Sequence, residues 1–154
     1  MTQDLQQEFH ELRNNAAQKL RTGFPRGLGD ERLLRLISMP SFHPWTTWEL
    51  YNVRGSESIL VRGIWRADLD GEKLRDPVTR LRYPRILEPT LELSTRQISQ
   101  EFAQSTLDDL SKMRLPAHPG SVLISLDGTS YELTTGSRLF GEATFCWHEN
   151  SPTS

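Results

Sequence analysis

The hydrophobic period changes from that of a helix to that of a strand early in this chain, and that change does most to limit what it can fold into. Between residues 5 and 20 the apolar side chains Leu5, Phe9, Leu12, Ala16 and Leu20 recur every three or four positions, with Gln, Glu, Arg and Asn between them. That spacing puts them on one stripe of an amphipathic helix. Thr2 is placed to cap it, and Asp4 falls in its first turn, near the positive end of the helix dipole. Over residues 46–66 the period is two. Thr46–Val53 sets Trp48, Leu50 and Asn52 against Thr47, Glu49, Tyr51 and Val53. Ser58–Arg66 likewise sets Ile59, Val61, Gly63 and Trp65 against Leu60, Arg62, Ile64 and Arg66. Such alternation is that of half-buried strands, and Arg54-Gly55-Ser56-Glu57 between them is short enough for a hairpin.

The remaining segments are read by their turn residues. Gly23, Pro25, Gly27 and Gly29 end the first helix. Asp30 is placed to cap a second, short helix carrying Leu33, Leu34 and Ile37 and ending at Pro40, so residues 1–40 are expected to be helical. Gly71, Pro77, Pro84 and Pro89 argue against long regular elements between Ala67 and Pro89, with one short strand expected around Arg82–Leu87. Thr90–Gln97 reads as a strand through Leu91 and Leu93. Ser99 then caps a helix over 99–113 carrying Phe102, Ala103, Leu107, Leu110 and Met113, although Ser94 with Gln97 would make an earlier capping box. Asp127-Gly128, between Ser121–Leu126 and Thr129–Thr134, favours a type I′ hairpin turn. A second reversal at Gly136-Ser137 leads into Leu139–His148, making 121–148 a three-stranded meander. The expectation is a single α+β domain over 1–154. It has a mainly antiparallel sheet of five to six strands, an N-terminal helix, strands and a charged loop over 46–97, and one helix inserted between the sheet halves.

Composition narrows the function classes. A quarter of the 154 residues are Leu, Ile, Val or Phe, enough for a modest core. The net charge of −2 is unlike the strongly basic balance of a dedicated nucleic-acid binder. One cysteine excludes an intramolecular disulfide. The N-terminal residues lack the cationic start and apolar stretch of a secretory signal, and no apolar run is long enough to span a membrane, so a cytoplasmic location without membrane association is expected.

Few residue groups suggest chemistry. On a strand, Cys146 and His148 share a face, which would let an imidazole activate a thiol. The expected alternative, that Cys146 packs as a small apolar residue while His148 sits at a solvated strand end, is favoured. His10, His43, His118 and His148 lack metal-ligand spacing, and Asp68-Leu69-Asp70-Gly71-Glu72 lacks the ligand set of a calcium loop and reads as an acidic turn. Gly27-Leu28-Gly29 lacks the third glycine of a dinucleotide fingerprint. No metal and no cofactor is therefore expected. Lys73, Arg75, Arg80, Arg82 and Arg85 with Tyr83 form a basic run that could meet nucleic acid, but flanking acids favour a solvated, ion-paired loop. Fifteen Arg against three Lys suit bidentate protein contacts. Phe42-His43-Pro44-Trp45-Thr46-Thr47-Trp48 is aromatic and proline-stiffened; Trp48 is expected in the core, with Trp45 open between core and contact.

Two stretches carry a resemblance. Leu126-Asp127-Gly128-Thr129-Ser130-Tyr131-Glu132-Leu133 with Ala143-Thr144-Phe145-Cys146-Trp147, and Ile37-Ser38-Met39-Pro40-Ser41-Phe42-His43-Pro44, together resemble small uncharacterised bacterial α+β proteins, some of immunity-protein type. The resemblance covers about a third of the chain and supplies no catalytic residues. It implies a non-enzymatic protein-binding module, an immunity-type inhibitor of a toxin encoded nearby. Its partner-binding residues are expected to be Phe42, Trp45, Arg75, Arg80, Arg82, Tyr83 and Arg85. The alternatives are a small cysteine-dependent enzyme using Cys146 and His148, or nucleic-acid binding through the 73–85 loop.

Overall fold

The computed structural model describes residues 3–24, 31–52, 57–82, 88–112, 128–137 and 141–150. Helix α1 (Gln3–Thr22) buries Leu12, Ala16 and Leu20 completely, the inner part of the expected stripe. It lies on one face of a six-stranded sheet formed by β1 (Glu31–Pro40), β2 (Thr46–Asn52), β3 (Glu57–Trp65), β4 (Leu91–Ser99), β5 (Gly128–Ser137) and β6 (Gly141–Asn150). The strand order is β4-β3-β2-β1-β5-β6, and every neighbouring pair is antiparallel. Helices α2 (Ala67–Arg75) and α3 (Pro77–Arg82) join β3 to β4, and α4 (Gln100–Lys112) lies between β4 and β5. The fold is α+β with a mainly antiparallel sheet.

The segment expected to be a second helix is β1, the strand that joins the two sheet halves by pairing with both β2 and β5. Its register against β2 slips between Arg32 and Leu34, so Leu33 is the extra residue of a bulge. A bulge breaks plain alternation, and the resulting Leu33, Leu34, Ile37 spacing mimics a helical face. Residues 67–82 also depart from expectation, because they form two helices rather than a turn-rich loop. Gly71 lies inside α2 facing Phe9 of α1, and Pro77 opens α3, where a missing N–H costs nothing. Asp76 caps that helix by accepting from the backbone N–H groups of Val78 (3.2 Å) and Thr79 (3.0 Å). Arg82 ends α3, so the strand expected around it does not begin there; Tyr83–Leu87, the strand expected at 121–126, the Thr2 cap and the Asp127 side of the hairpin turn lie outside the described residues. The Ser99 cap is present, its Oγ accepting from Phe102 N–H at 3.2 Å. Among the described residues of the α4 stripe only Ala103 is buried, and Phe102 is exposed; Met113 lies outside the described residues.

Under α1 the core gathers Ala16, Leu20, Ile37, Trp45 and Trp65, with Phe9, Phe24, Met39 and Leu91 packed around them. Gly63 belongs to this face, and the Phe24 ring occupies the space that a Cβ would need. Leu36, Trp48, Leu50, Leu60 and Leu133 alternate onto the other face. Of Trp45 and Trp48 it is therefore Trp45 that joins the core; Trp48 is half-buried on the far face.

Candidate functional site

Residues 41–45 connect β1 to β2 and are pinned at both ends. Ser41 donates twice to the Gly128 carbonyl, from its N–H and from its hydroxyl, each at 3.0 Å. Trp45 donates its indole N–H to the Pro40 carbonyl at 3.2 Å, and its own carbonyl accepts from Trp65 N–H at 2.9 Å. Between these anchors Phe42 is held outward, 79% exposed. A loop fixed by its own hydrogen bonds presents an apolar ring at little further entropic cost on binding.

The loop forms one wall of a groove of about 480 Å³ lined also by Phe9 and Arg13 of α1, by Trp65, and by Arg66, Ala67 and Asp68 at the start of α2. Its floor is aromatic. Trp45 and Trp65 lie 5.1 Å apart at 59°, Phe9 and Trp65 5.9 Å apart, and the Arg13 guanidinium sits 5.0 Å above the Trp45 ring. That last geometry is a cation–π contact. Phe9 also lines a smaller cavity of about 100 Å³ with Leu5, Gly71, Leu74 and Arg75. The two segments singled out in the sequence thus meet across one phenylalanine, Phe42 on one side and Arg75 on the other.

The remaining predicted contact residues divide. Arg80 is tied to Glu8 of α1 at 3.3 Å, whereas Arg82 is exposed beside the exposed Val78 (68%) and Leu81 (88%) of α3. Tyr83 and Arg85 lie outside the described residues. Trp45 contributes a buried floor, only 8% exposed. Phe9, Arg13 and Trp65 were not anticipated at the groove, since they come from distant elements and only tertiary packing unites them.

Charge at the rim is held by Arg66, which donates to Asp68 at 2.7 and 3.0 Å and to Glu92 at 3.0 Å. The hydrogen bond from Arg66 leads the causes that hold the Asp68 carboxyl down, from an ordinary value of 3.8 to about 2. The folded value lies below the unfolded one, so this pair contributes above the unfolded value and loses its contribution as pH falls through about 2. A carbon-detected NMR titration should therefore give Asp68 a midpoint near 2, and Arg66→Ala should return it towards 3.8. A midpoint near 3.8 in the parent chain would remove Arg66 as its partner.

The acidic stretch around Asp68 is the first part of helix α2, not a turn, and Asp70 is wholly buried. Lys73 of the basic run turns to this carboxylate (3.5 Å) and to the Thr90 hydroxyl (2.5 Å), which leaves Arg75 and Arg82 as its exposed charges among the described residues. Among the described residues no group of three His, Cys, Asp or Glu is placed to hold a metal.

Cys146 is exposed rather than packed. The reason is its strand, because β6 is the outer edge of the sheet. His148 shares its face, but its Nδ1 lies 3.1 Å from the Ser130 hydroxyl across the hairpin rather than being engaged with the thiol. A second polar group missed in the sequence lies under the C-terminal end of α1. Glu49, without solvent exposure, accepts from the Tyr51 hydroxyl (2.7 Å), from Phe24 N–H (3.2 Å) and from Arg32 (3.5 Å). Beside it burial pushes the Arg35 guanidinium below its ordinary value, and the neighbouring Arg32 charge adds to this. These residues fasten α1 and the start of the next segment to the sheet.

No family model matches the chain, and neither does any curated protein or any solved structure. Among the described residues no helix is long and apolar enough to cross a membrane.

Proposed function

We propose that this chain is a non-enzymatic protein-binding module, an immunity-type inhibitor that docks a toxin through the Phe42 groove and occludes its active site. The observation that carries the reading is Phe42 itself, 79% exposed on a loop anchored to Gly128 and Trp65. A large apolar ring fixed outside the core is costly to display, and aromatic anchors of this kind dominate binding energy at protein interfaces. Arg13 and Arg75 on either side of Phe9, with Arg82 beyond, suit carboxylates on the facing surface. The resemblance of residues 37–44 to small uncharacterised bacterial α+β proteins, some of immunity-protein type, supports the choice of partner.

The test is co-expression with the product of the adjacent gene. A stable one-to-one complex and rescue of growth are expected. Phe42→Ala should weaken the complex by about 2 kcal/mol, about 30-fold in Kd, while leaving the melting temperature unchanged. Absence of both the complex and the rescue would remove the proposal.

A further inference from the structure

Among the described residues no strand lies against the outer edge of β6, and from Glu142 to Glu149 every residue except Trp147 is exposed. A sheet edge presents unpaired backbone donors and acceptors, and proteins usually guard it with proline, lysine, a bulge or a very short strand. β6 has none of these. It is ten residues long, contains no Pro, Lys or Arg, and pairs with β5 in an unbroken register from Gly128↔Asn150 to Ser137↔Gly141. Along its length Ala143, Phe145 and Trp147 make one face, Phe145 being 45% exposed and Trp147 stacked on Tyr131 at 5.1 Å. Glu142, Thr144, Cys146 and His148 make the other.

We infer that this edge is covered by β6 of a second copy of the chain, paired antiparallel about a two-fold axis at Phe145. A two-fold axis perpendicular to the sheet keeps each face on its own side, so only registers pairing odd with odd residues are allowed. With Phe145 on the axis the strand complements itself. Phe145 meets its own copy, the small Ala143 lies opposite the large Trp147, and Glu142, which also accepts from Arg32 at 2.8 Å, lies opposite His148. Moving the axis to Cys146 sets Ala143 against the charged Glu149, and moving it to Thr144 leaves His148 and Glu149 unpaired. β4, the opposite edge, is the poorer candidate. It is shorter, carries Arg96 and runs directly into α4 at Gln100.

Light scattering on the eluting full-length chain, over a concentration series, should show a mass rising to twice 17.7 kDa. Phe145→Lys places two ammonium groups directly opposite each other and should return the chain to monomer at concentrations where the parent is dimeric. Leu93→Lys should leave the dimer intact. The register has its own test. Directly opposite residues bring Cβ atoms to roughly 4.5–5.5 Å and diagonal ones to roughly 7–8 Å, whereas a disulfide needs about 3.5–4.5 Å. On oxidation Thr144→Cys should therefore give a covalent dimer through Cys146 of the second copy, and the parent chain should not. A chain that stays monomeric throughout, with Thr144→Cys also uncrosslinked, overturns the inference. So does a dimer that survives Phe145→Lys and is lost with Leu93→Lys. Crosslinking of the parent chain through Cys146 overturns the register.

Discussion

Trp65→Ala is expected to lower the unfolding free energy by about 3–5 kcal/mol, the cost of a large aromatic truncated in a core that cannot fully collapse. Trp65 is 3% exposed and is where three elements meet. Its ring stacks obliquely against Trp45 at 5.1 Å and against Phe9 of α1 at 5.9 Å, and its indole N–H donates to Asp70 of α2 at 2.9 Å. Removing the ring takes apolar area from α1, from the 41–45 loop and from the start of α2 together. For a chain of this size each kcal/mol moves the melting temperature by roughly 2–4 °C, so the transition should fall by on the order of 10 °C. Trp65→Phe keeps the ring contacts and deletes the indole donor, which should cost less, about 1–2 kcal/mol. Urea unfolding decides the matter through a lower midpoint at unchanged slope. If Trp65→Ala costs under about 1 kcal/mol, below the usual large-to-small range, Trp65 does not join these elements.

The same residues explain which parts of the fold were legible. The stripe of α1, the β2–β3 hairpin, β4 and the Ser99 cap of α4 follow from local rules that the structure obeys. β1 failed for a local reason, since the Leu33 bulge shifts the phase of alternation and both its faces meet side chains. α2 and α3 failed because Gly71 and Pro77 were weighed as breakers. The Asp76-Pro77-Val78-Thr79 sequence held the opposite signal, an acidic cap followed by proline at the first helical position. Alternation also divides a strand into two faces without saying which one the helix covers. Trp48 was expected inside for that reason, while Trp45, one residue before β2, took the place under α1. At the candidate site the sequence could supply Phe42 and the arginines. It could not supply Phe9 and Arg13 of α1 or Trp65 of β3, which complete the groove from two separate elements.

The second large effect is expected at Asp70, where a charge rather than an apolar ring closes the structure. Its carboxylate is wholly buried and accepts from Trp65 Nε1 (2.9 Å), Thr90 N–H (2.9 Å) and the Thr90 hydroxyl, with Lys73 Nζ 3.5 Å away. One side chain thereby ties the end of β3 to α2 and to the residue that opens β4. Asp70→Ala leaves an indole N–H and a backbone N–H without their acceptor, each costing about 1–3 kcal/mol. A total of about 3–5 kcal/mol is expected, within the range that two orphaned buried donors set, since the Lys73 side chain is 43% exposed and is solvated. Lys19–Glu88 is the control. Its 2.6 Å separation is shorter than that of Lys73–Asp70, but the Glu88 side chain is 84% exposed, and pairs in water contribute about 0–1 kcal/mol. Glu88→Ala should therefore scarcely move the urea midpoint. Asp70→Asn keeps one acceptor oxygen and should fall between the two. The double variant Trp65→Phe with Asp70→Ala should cost less than the sum of its parts, because both changes remove the Trp65–Asp70 hydrogen bond. Equal effects at Asp70 and Glu88 would show that burial does not set what a carboxylate contributes here, and strict additivity in the double variant would show that the Trp65–Asp70 hydrogen bond contributes nothing.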